Sequence, residues 1–258
     1  MRKSRVLEKI RNGKFARICN FGHYLPYVPK QAALAGYDGV WFDGEHRAWD
    51  PREVQAMIAF HHLADIDCLW RPPTLEKTGL YRLLEDGATG VIIPHVSTPE
   101  KARAIVEATK FPPLGDRGYD GVGLDCGHRP QSLAYTQDCN RETLVSVQLE
   151  TPLALENADA IAAVEGVDVL FLGPGDMALR LGCSPSASDP KMLEAERTVA
   201  RAATDHGKVW GRPVGTKEDL QVIAELGARF IIHGGEFPSI ISGLANGAAT
   251  LNKVLGDG

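Results

Sequence analysis

The stretch VSVQLETPLALENADAIAAVEGVDVLFLGPGDMALRLG, Val145 to Gly182, reads as strand, helix, strand. Each strand ends on an acid: Glu150 after the first, Asp176 just past the second. Two carboxylates at neighbouring strand ends can hold a divalent cation between them, and two protein ligands leave sites for water and substrate, which suits Mg²⁺ or Mn²⁺. Gly173-Pro174-Gly175 lacks a β-carbon at both glycines, so backbone N–H groups can approach an anionic ligand closely. A metal beside an anion seat points to chemistry on a small organic acid.

The same alternation runs outward from this stretch to both ends of the chain. Eight strands are expected at Ala16–Phe21, Gly39–Asp43, Asp67–Arg71, Gly90–Pro94, Leu144–Leu149, Val167–Leu172, Lys208–Pro213 and Arg229–His233. Runs such as VIIP, VDVLFL and RFII are continuously apolar, which implies burial on both faces. Helical segments follow nearly all of them, among them Pro51–Ala64, Leu75–Asp86, Pro99–Thr109, Pro152–Val164, Lys191–His206 and Lys217–Leu226. Asp50-Pro51, Thr98-Pro99 and Thr151-Pro152 each supply an N-cap followed by proline at the first helical position. Gly36, Gly87, Gly166, Gly207 and Gly227 stand where helices end. Eight βα units in a chain of 258 residues predict a (β/α)8 TIM barrel forming a single domain over 1–258. A doubly wound sheet would more often carry a Gly-rich loop after its first strand, and Phe21-Gly22-His23 is not one.

Composition narrows the function classes. The chain is 44% hydrophobic and 24% charged, with net charge −5 and no basic stripe. Nucleic acid is therefore not an expected partner. No apolar run approaches the roughly 20 residues that span a bilayer, and the N-terminal MRKSRVLEKIRNGK lacks the apolar core of a signal peptide. Five scattered cysteines, Cys19, Cys68, Cys126, Cys139 and Cys183, contain no CxxC pair, so a disulfide framework is not expected and a reducing cytoplasm fits. The irregular, Gly-rich piece Phe111–Pro130 follows the helix after the fourth strand. That places it on the rim opposite the strand ends, as a functional, assembly or mobile loop.

In a barrel, reactive side chains gather at the C-terminal strand ends. Read in order, these ends carry Asp43-Gly44-Glu45-His46, Arg71-Pro72-Pro73, Pro94-His95, Gln148-Leu149-Glu150 and Gly173-Pro174-Gly175-Asp176. Glu150 and Asp176 are the candidate metal ligands; the bland alternative is two solvated acids at helix N-termini. His46 is a candidate general base with Asp43 orienting its ring, against the alternative of a surface histidine. Glu45 could assist that pair or hold a metal-bound water. Arg71 suits a carboxylate or enolate oxygen; the alternative is an internal salt bridge to Asp43 or Glu85. Arg117 is either a gate or far-carboxylate binder, or simply solvated. His95, His23 and Trp49 could line the mouth or be structural, and Trp41, Trp70 and Trp210 read as core.

Taken together in order and spacing, AGYDGVWFDGEH, WRPP, LLEDGATGVIIPHVSTPEKARAIVEATKFPPLGDRG, VSVQLET and VEGVDVLFLGPGDMALRLG resemble the metal-dependent (class II) pyruvate aldolases of the HpcH/HpaI family. The similarity runs from about Ala32 to Leu244. The resemblance implies a TIM barrel that assembles as a homohexamer, with a C-terminal helix exchanged between subunits; Pro238–Leu255 is the apolar segment that would do so. It implies a divalent cation (Mg²⁺, Mn²⁺ or Co²⁺) on Glu150 and Asp176, His46 with Asp43 as base, and Arg71 at the oxyanion. It also implies Gln148 near metal or substrate, and the Gly173–Gly175 backbone, with Pro174 between, around a pyruvate carboxylate. Departures lie in the substrate-discriminating shell. The first strand ends Cys19-Asn20-Phe21-Gly22-His23 where a Trp is common, Gly175 and Ala178 replace Ala and Ser, Glu85 and Thr89 replace Asp and Gln, and HGGEFPSI stands late in the chain.

The implied reaction is cleavage or formation of 4-hydroxy-2-oxo acids through a pyruvate enolate, giving a 2-oxo acid and an aldehyde. No Schiff-base lysine is required, although Lys208 and Lys217 lie near the seventh strand. Rival readings are an acyl-CoA lyase of the citrate lyase β-subunit or malyl-CoA lyase kind, an oxaloacetate decarboxylase using the same enolate, and a barrel that binds a keto acid without turnover.

Overall fold

Strands without a polar face have to be covered on both sides, and here they close on one another. The computed structural model describes residues 1–130 and 132–256. Its strands are β1 Ala16–Phe21, β2 Gly39–Asp43, β3 Asp67–Arg71, β4 Gly90–Ile93, β5 Leu144–Leu149, β6 Val169–Leu172, β7 Val209–Pro213 and β8 Phe230–Gly235. They pair in chain order, all parallel, and β8 returns to β1 to complete the barrel. The helices are α1 Arg5–Arg11, α2 Val28–Leu34, α3 Pro51–Ala64, α4 Lys77–Glu85, α5 Pro99–Thr109, α6 Leu133–Glu142, α7 Pro152–Glu156, α8 Ala158–Ala162, α9 Pro174–Leu181, α10 Pro190–Asp205, α11 Lys217–Glu225 and α12 Glu236–Leu255.

Strand alternation divides the core in two. Ile18, Trp41, Leu69, Ile92, Leu144, Val169, Phe171, Phe230 and Ile232 fill the barrel interior, and Val6, Leu7 and Ile10 of α1 join them as a plug at the N-terminal end. The opposite strand faces, with Val40, Cys68, Val91, Val147 and Leu170, pack against the helix layer. Truncating one of the buried aromatics, Phe171 for example, would cost about 3–5 kcal/mol. Trp41, Trp70 and Trp210 are buried as expected. A buried Arg212–Glu196 pair at 2.9 Å ties β7 to α10.

Several boundaries differ from the sequence reading, each for a local reason. The segment Leu75–Asp86 shortens to α4 because the Glu76 side chain caps the N–H groups of Thr78 and Gly79. The expected Pro152–Val164 helix is broken at Asn157, which leaves helical geometry and donates its side chain to the Ser97 carbonyl. Helices α1 and α6 are additional to the segments expected after the strands; α2 ends at the Gly36 stop, and α9 starts at Pro174, inside the Gly-Pro-Gly run, with Asp176 in its first turn.

The Phe111–Pro130 piece lies on the N-terminal rim, beside Met1, Arg2 and His62. Arg117 is neither a gate at the mouth nor solvated. It is buried, paired with Asp125 at 2.9 Å and stacked over Phe111 at 4.6 Å, and Tyr135 donates its hydroxyl to the same Asp125. Glu85 and Thr89 also sit towards that end: a β-carbon on Gly123 would stand 2.9 Å from the Glu85 carbonyl oxygen, and Thr89 Oγ1 accepts from Arg2 and from the Cys68 amide.

Helix α12 leaves the barrel. Every residue from Phe237 to Leu255 is exposed, including Phe237, Ile240, Ile241, Leu244, Leu251, Val254 and Leu255. The barrel wall between β1, β8, α2 and α11 holds a cavity of about 630 Å³, lined by Phe15, Ile18, Tyr37, Leu220 and Ile231 among others. No helix among the described residues is long and apolar enough to cross a membrane.

Candidate active site

The C-terminal ends of β2 to β6 converge on one ionic network. Asp43 and Arg71 are partners in register, the last residues of β2 and β3. Their side chains meet in a two-point fork, Arg71 Nε to Asp43 Oδ1 at 3.0 Å and Nη2 to Oδ2 at 2.8 Å. The remaining Nη1 reaches Glu45 Oε2 at 3.0 Å, and the guanidinium lies 4.8 Å from the centre of the Trp41 ring. Both members of the fork are buried, a cost that such charge-assisted pairing offsets. Burial pushes the Asp43 carboxyl up. The Arg71 hydrogen bond and charge, with two backbone N–H donors, outweigh it and hold the group below its ordinary value.

Those two donors are the amides of Glu45 and His46, both on Asp43 Oδ1 at 3.0 and 3.2 Å. Here the sequence expectation needs correction. Asp43 orients the His46 backbone rather than its ring. The imidazole is 56% exposed and its Nε2 stands 3.6 Å from Glu45 Oε2. Glu45 is thus the acid shared by Arg71, His46 and His95, whose Nε2 lies 3.1 Å from Glu45 Oε1. Of the two salt bridges considered for Arg71 from sequence, the one to Asp43 forms, and Glu45 takes the second place.

His95 is the residue that sequence reasoning undervalued. Its φ of 55° is a left-handed conformation uncommon outside glycine. In that conformation both its backbone N–H, at 2.7 Å, and its ring Nδ1, at 2.8 Å, meet Glu150 Oε1. His95 therefore bridges Glu45 to Glu150, joining the β2–β3 half of the site to the β5–β6 half. The only signal in the sequence is a histidine directly after the strand-ending Pro94.

Glu150 is almost wholly buried. Burial pushes its carboxyl above the usual range and the charge of Asp176 adds to this, against the lowering effect of His95 and Gln148. Gln148 donates through Nε2 to Glu150 Oε2, while its own Oε1 is buried without a partner among the described residues. A β-carbon on Gly173 would fall 2.5 Å from Glu150 Oε2 and 2.7 Å from Gln148 Nε2, so this position must be glycine for the pair to sit as it does.

Gly173 caps α9 without a side chain, and Pro174 occupies its first turn. Pro174 has no N–H, so the free donors of that helix start are the amides of Gly175 and Asp176; a β-carbon on Gly175 would meet nothing within 4 Å. Asp176 follows on the same turn, paired with Arg180 at 2.6 Å, and Arg180 Nη1 also donates to the Glu150 carbonyl at 3.3 Å. Among the described residues no group of three or more His, Cys, Asp or Glu is arranged to hold a metal ion. The donor set does fit a hard divalent cation with few protein ligands: two carboxylates, plus an amide oxygen in need of a partner.

Trp49 donates its indole N–H to the Asp43 carbonyl at 2.9 Å and stacks edge-on with Phe42 and Trp70, which makes it a brace for β2 rather than a lining of the mouth. Asn20 donates to the Trp41 carbonyl at 3.3 Å. His23 lies past the end of β1, beside Glu236.

The family model described as HpcH/HpaI aldolase/citrate lyase matches residues 23–242. The 5-keto-4-deoxy-D-glucarate aldolase of Escherichia coli is 33% identical over 233 residues, covering 88% of this chain and 89% of that enzyme. The crystal structure of an HpcH/HpaI aldolase from Desulfitobacterium hafniense DCB-2 superposes with a TM-score of 0.89 at 31% identity, over 95% of each chain. An HpcH/HpaI aldolase/citrate lyase family protein from Burkholderia cenocepacia J2315 gives 0.88 at 25% identity, over 97% of this chain and 100% of that one.

Proposed function

The chain belongs to the HpcH/HpaI aldolase/citrate lyase family, and from that footing we propose that its barrel mouth cleaves, and in reverse forms, 4-hydroxy-2-oxo acids through a pyruvate enolate. It is an aldolase, a carbon–carbon lyase of the divalent-metal-dependent class. The observation that carries the site assignment is the buried Glu150, held by Gln148 and His95 beside the open start of α9.

Glu150 and Asp176 would hold the cation (Mg²⁺, Mn²⁺ or Co²⁺), with Gln148 Oε1 at its edge. When bound, it supplies Lewis-acid stabilisation of the enolate's negative charge. The amides of Gly175 and Asp176 receive the 2-oxo acid carboxylate at the helix start. Arg71, fixed by Asp43 and Glu45, offers its guanidinium to the enolate oxygen without having to reorganise as charge develops. His46 takes the C4 hydroxyl proton, the C3–C4 bond breaks, the aldehyde leaves, and protonation of the remaining enolate at C3 gives pyruvate. Glu45, next to the His46 ring, is the group able to stabilise the imidazolium that results.

The same reading extends to assembly and compartment. The exposed apolar stripe of α12 supports a homo-oligomer, a hexamer by family resemblance, in which α12 of one subunit covers another. Five free cysteines, three of them buried, suit a reducing cytoplasm.

The decisive assay measures pyruvate release from several 4-hydroxy-2-oxo acids after chelation, and again with Mn²⁺, Mg²⁺ or Co²⁺ restored. Activity should vanish with chelator and return with metal, and Glu150→Gln and Asp176→Asn should each bind Mn²⁺ more weakly while remaining folded. Full activity in excess EDTA, or borohydride trapping of a lysine–pyruvate adduct, would overturn the assignment.

A further inference from the structure

The turn that follows β4 is held more tightly than its place on the rim requires. His95 stands at φ 55°, a left-handed conformation that residues other than glycine adopt only against a steric cost. Flanking contacts fix it there. The Val96 N–H donates to the Gln148 carbonyl at 3.0 Å, and Lys101 Nζ donates to the His95 carbonyl at 2.7 Å. Asn157 Nδ2 donates to the Ser97 carbonyl at 2.9 Å, and the Ser97 and Thr151 hydroxyls meet at 2.9 Å. A strained residue that its surroundings over-determine points to a use for the strained conformation.

The left-handed turn aims both ring nitrogens at acids. It brings the His95 N–H and Nδ1 together onto Glu150 Oε1, at 2.7 and 2.8 Å, and places Nε2 3.1 Å from Glu45 Oε1. Opposite an ionised carboxylate, Nδ1 is the donor. Glu150 Oε2 accepts from the Gln148 amide, so protein groups orient both oxygens of this buried carboxylate. Glu45 is steered in the same way, with Oε2 on Arg71 Nη1 at 3.0 Å and Oε1 on His95. Without the ring, Glu150 Oε1 keeps only its backbone donor, and Glu45 is steered by Arg71 and by the more distant His46, whose Nε2 lies at 3.6 Å.

We propose that His95 is a positioning residue with two separable tasks: through Nδ1 it sets Glu150 to receive the cation, and through Nε2 it sets Glu45 against the Arg71 guanidinium and the His46 ring. This rests on the aldolase reading above, in which Glu150 holds the metal and Arg71 and His46 carry the chemistry. The first task bears on metal affinity, because a carboxylate oriented before the cation arrives loses less freedom on binding it. The second bears on turnover, because Glu45 helps to fix Arg71 where enolate charge develops. Lys101 supports both by holding the turn.

Three substitutions in the full-length protein separate the tasks. His95→Gly relieves the left-handed strain and keeps the backbone donor, but removes the ring. His95→Asn carries an amide near the place of Nδ1, can still donate to Glu150, and tolerates the left-handed region. His95→Gln carries its amide nearer the place of Nε2 and can reach Glu45. Calorimetry reads Mn²⁺ binding, kcat for 4-hydroxy-2-oxo acid cleavage is taken at saturating Mn²⁺, and the melting temperature checks the fold. His95→Gly should weaken Mn²⁺ binding by about 10–100-fold, the scale of a lost contact to a metal ligand, and lower kcat by about tenfold or more. His95→Asn should recover most of the affinity and little of the turnover, and His95→Gln the reverse. Wild-type affinity and kcat in His95→Gly, or identical behaviour of His95→Asn and His95→Gln, would overturn the inference. So would a directly bound nitrogen in the electron spin echo spectrum of the Mn²⁺ complex that disappears in His95→Gly, since His95 would then be a ligand itself. If the wild type binds Mn²⁺ no better than Glu150→Gln, the metal assignment fails and this inference falls with it. A wild type that outbinds Glu150→Gln but matches His95→Gly in both quantities overturns this inference alone.

Discussion

At the scale of single residues, the network assigns different work to His46 and Arg71. If His46 moves only the C4 hydroxyl proton, it matters for aldol cleavage and little for oxaloacetate decarboxylation, where no such proton exists. If Arg71 stabilises the proposed enolate, it matters for both. His46→Ala should therefore lower cleavage by roughly 10²–10⁴-fold and spare decarboxylation, whereas Arg71→Ala should depress both by about 10²-fold or more. The measurement is kcat on both substrates with metal saturating. Equal losses for His46→Ala would mean that the ring positions substrate instead of moving a proton. Arg71→Ala has a further consequence through Asp43. In the folded protein Arg71 keeps that carboxyl below its ordinary value despite burial. The stabilisation is complete above the unfolded value and lost as pH falls through the folded one. Without Arg71, burial acts unopposed by that charge, so acid unfolding should begin at higher pH than in the wild type. The identity of Asp43, Arg71 and Glu150 was legible because a barrel offers few places for charged residues at strand ends. Their wiring was not. That Glu45 gathers Arg71, His46 and His95, and that Asp43 holds a backbone and not a ring, depends on turn geometry that residue type does not encode.

At the scale of elements, the helices with an Asp-Pro or Thr-Pro start were readable because cap and proline act through the chain's own next turn. Asp50 and Glu53 form a complete capping box, and Thr98 and Thr151 each accept from the amide three residues on. The α9 start fits the alternative weighed for Asp176, an acid in the first turn of a helix, and Pro174 at the first helical position is its local signal. Short α1 and α6 escaped because each offers only a few apolar residues, Val6, Leu7 and Ile10 in one, Tyr135 and Cys139 in the other. The α9 start also yields a test of how the site is held. Gly173→Ala leaves the backbone unstrained, since φ is −86°, but drives a methyl into Glu150 and Gln148. It should weaken Mn²⁺ binding and lower kcat by about 10²-fold, the usual consequence of displacing reacting groups by an ångström, with a modest change in melting temperature. Gly175→Ala meets no neighbour and should melt close to the wild type. Calorimetric Mn²⁺ titration of the two variants separates them, and equal affinity in Gly173→Ala and wild type would show that Glu150 and Gln148 tolerate displacement.

At the scale of the whole molecule, the closed barrel was legible from arithmetic: eight buried runs alternating with helices have few other ways to bury both strand faces. The last helix obeys a different rule. In α12 the apolar residues recur at 237, 240, 241, 244, 251, 254 and 255, the three-four spacing of a helix face made for burial, yet all of them are exposed in the isolated chain. A stripe of this length in water is unfavourable by roughly 25 cal/mol per Å² of apolar surface, and contiguous patches of this kind mark interfaces. The barrel meanwhile holds a cavity between β1 and β8, next to the strand from which α12 departs. Helix and cavity on the same chain, each without its complement, suit a closed ring or pair of copies in which each α12 covers a neighbour. Light scattering should therefore return a multiple of the 27.9 kDa chain at micromolar concentration. Leu244→Asp with Leu251→Asp, both on the exposed stripe and remote from the barrel mouth, should shift the population towards monomer without altering the far-UV spectrum of the barrel. A wild-type mass near one chain, or an oligomer indifferent to both charges, would place the contact elsewhere and leave the apolar face of α12 without an account.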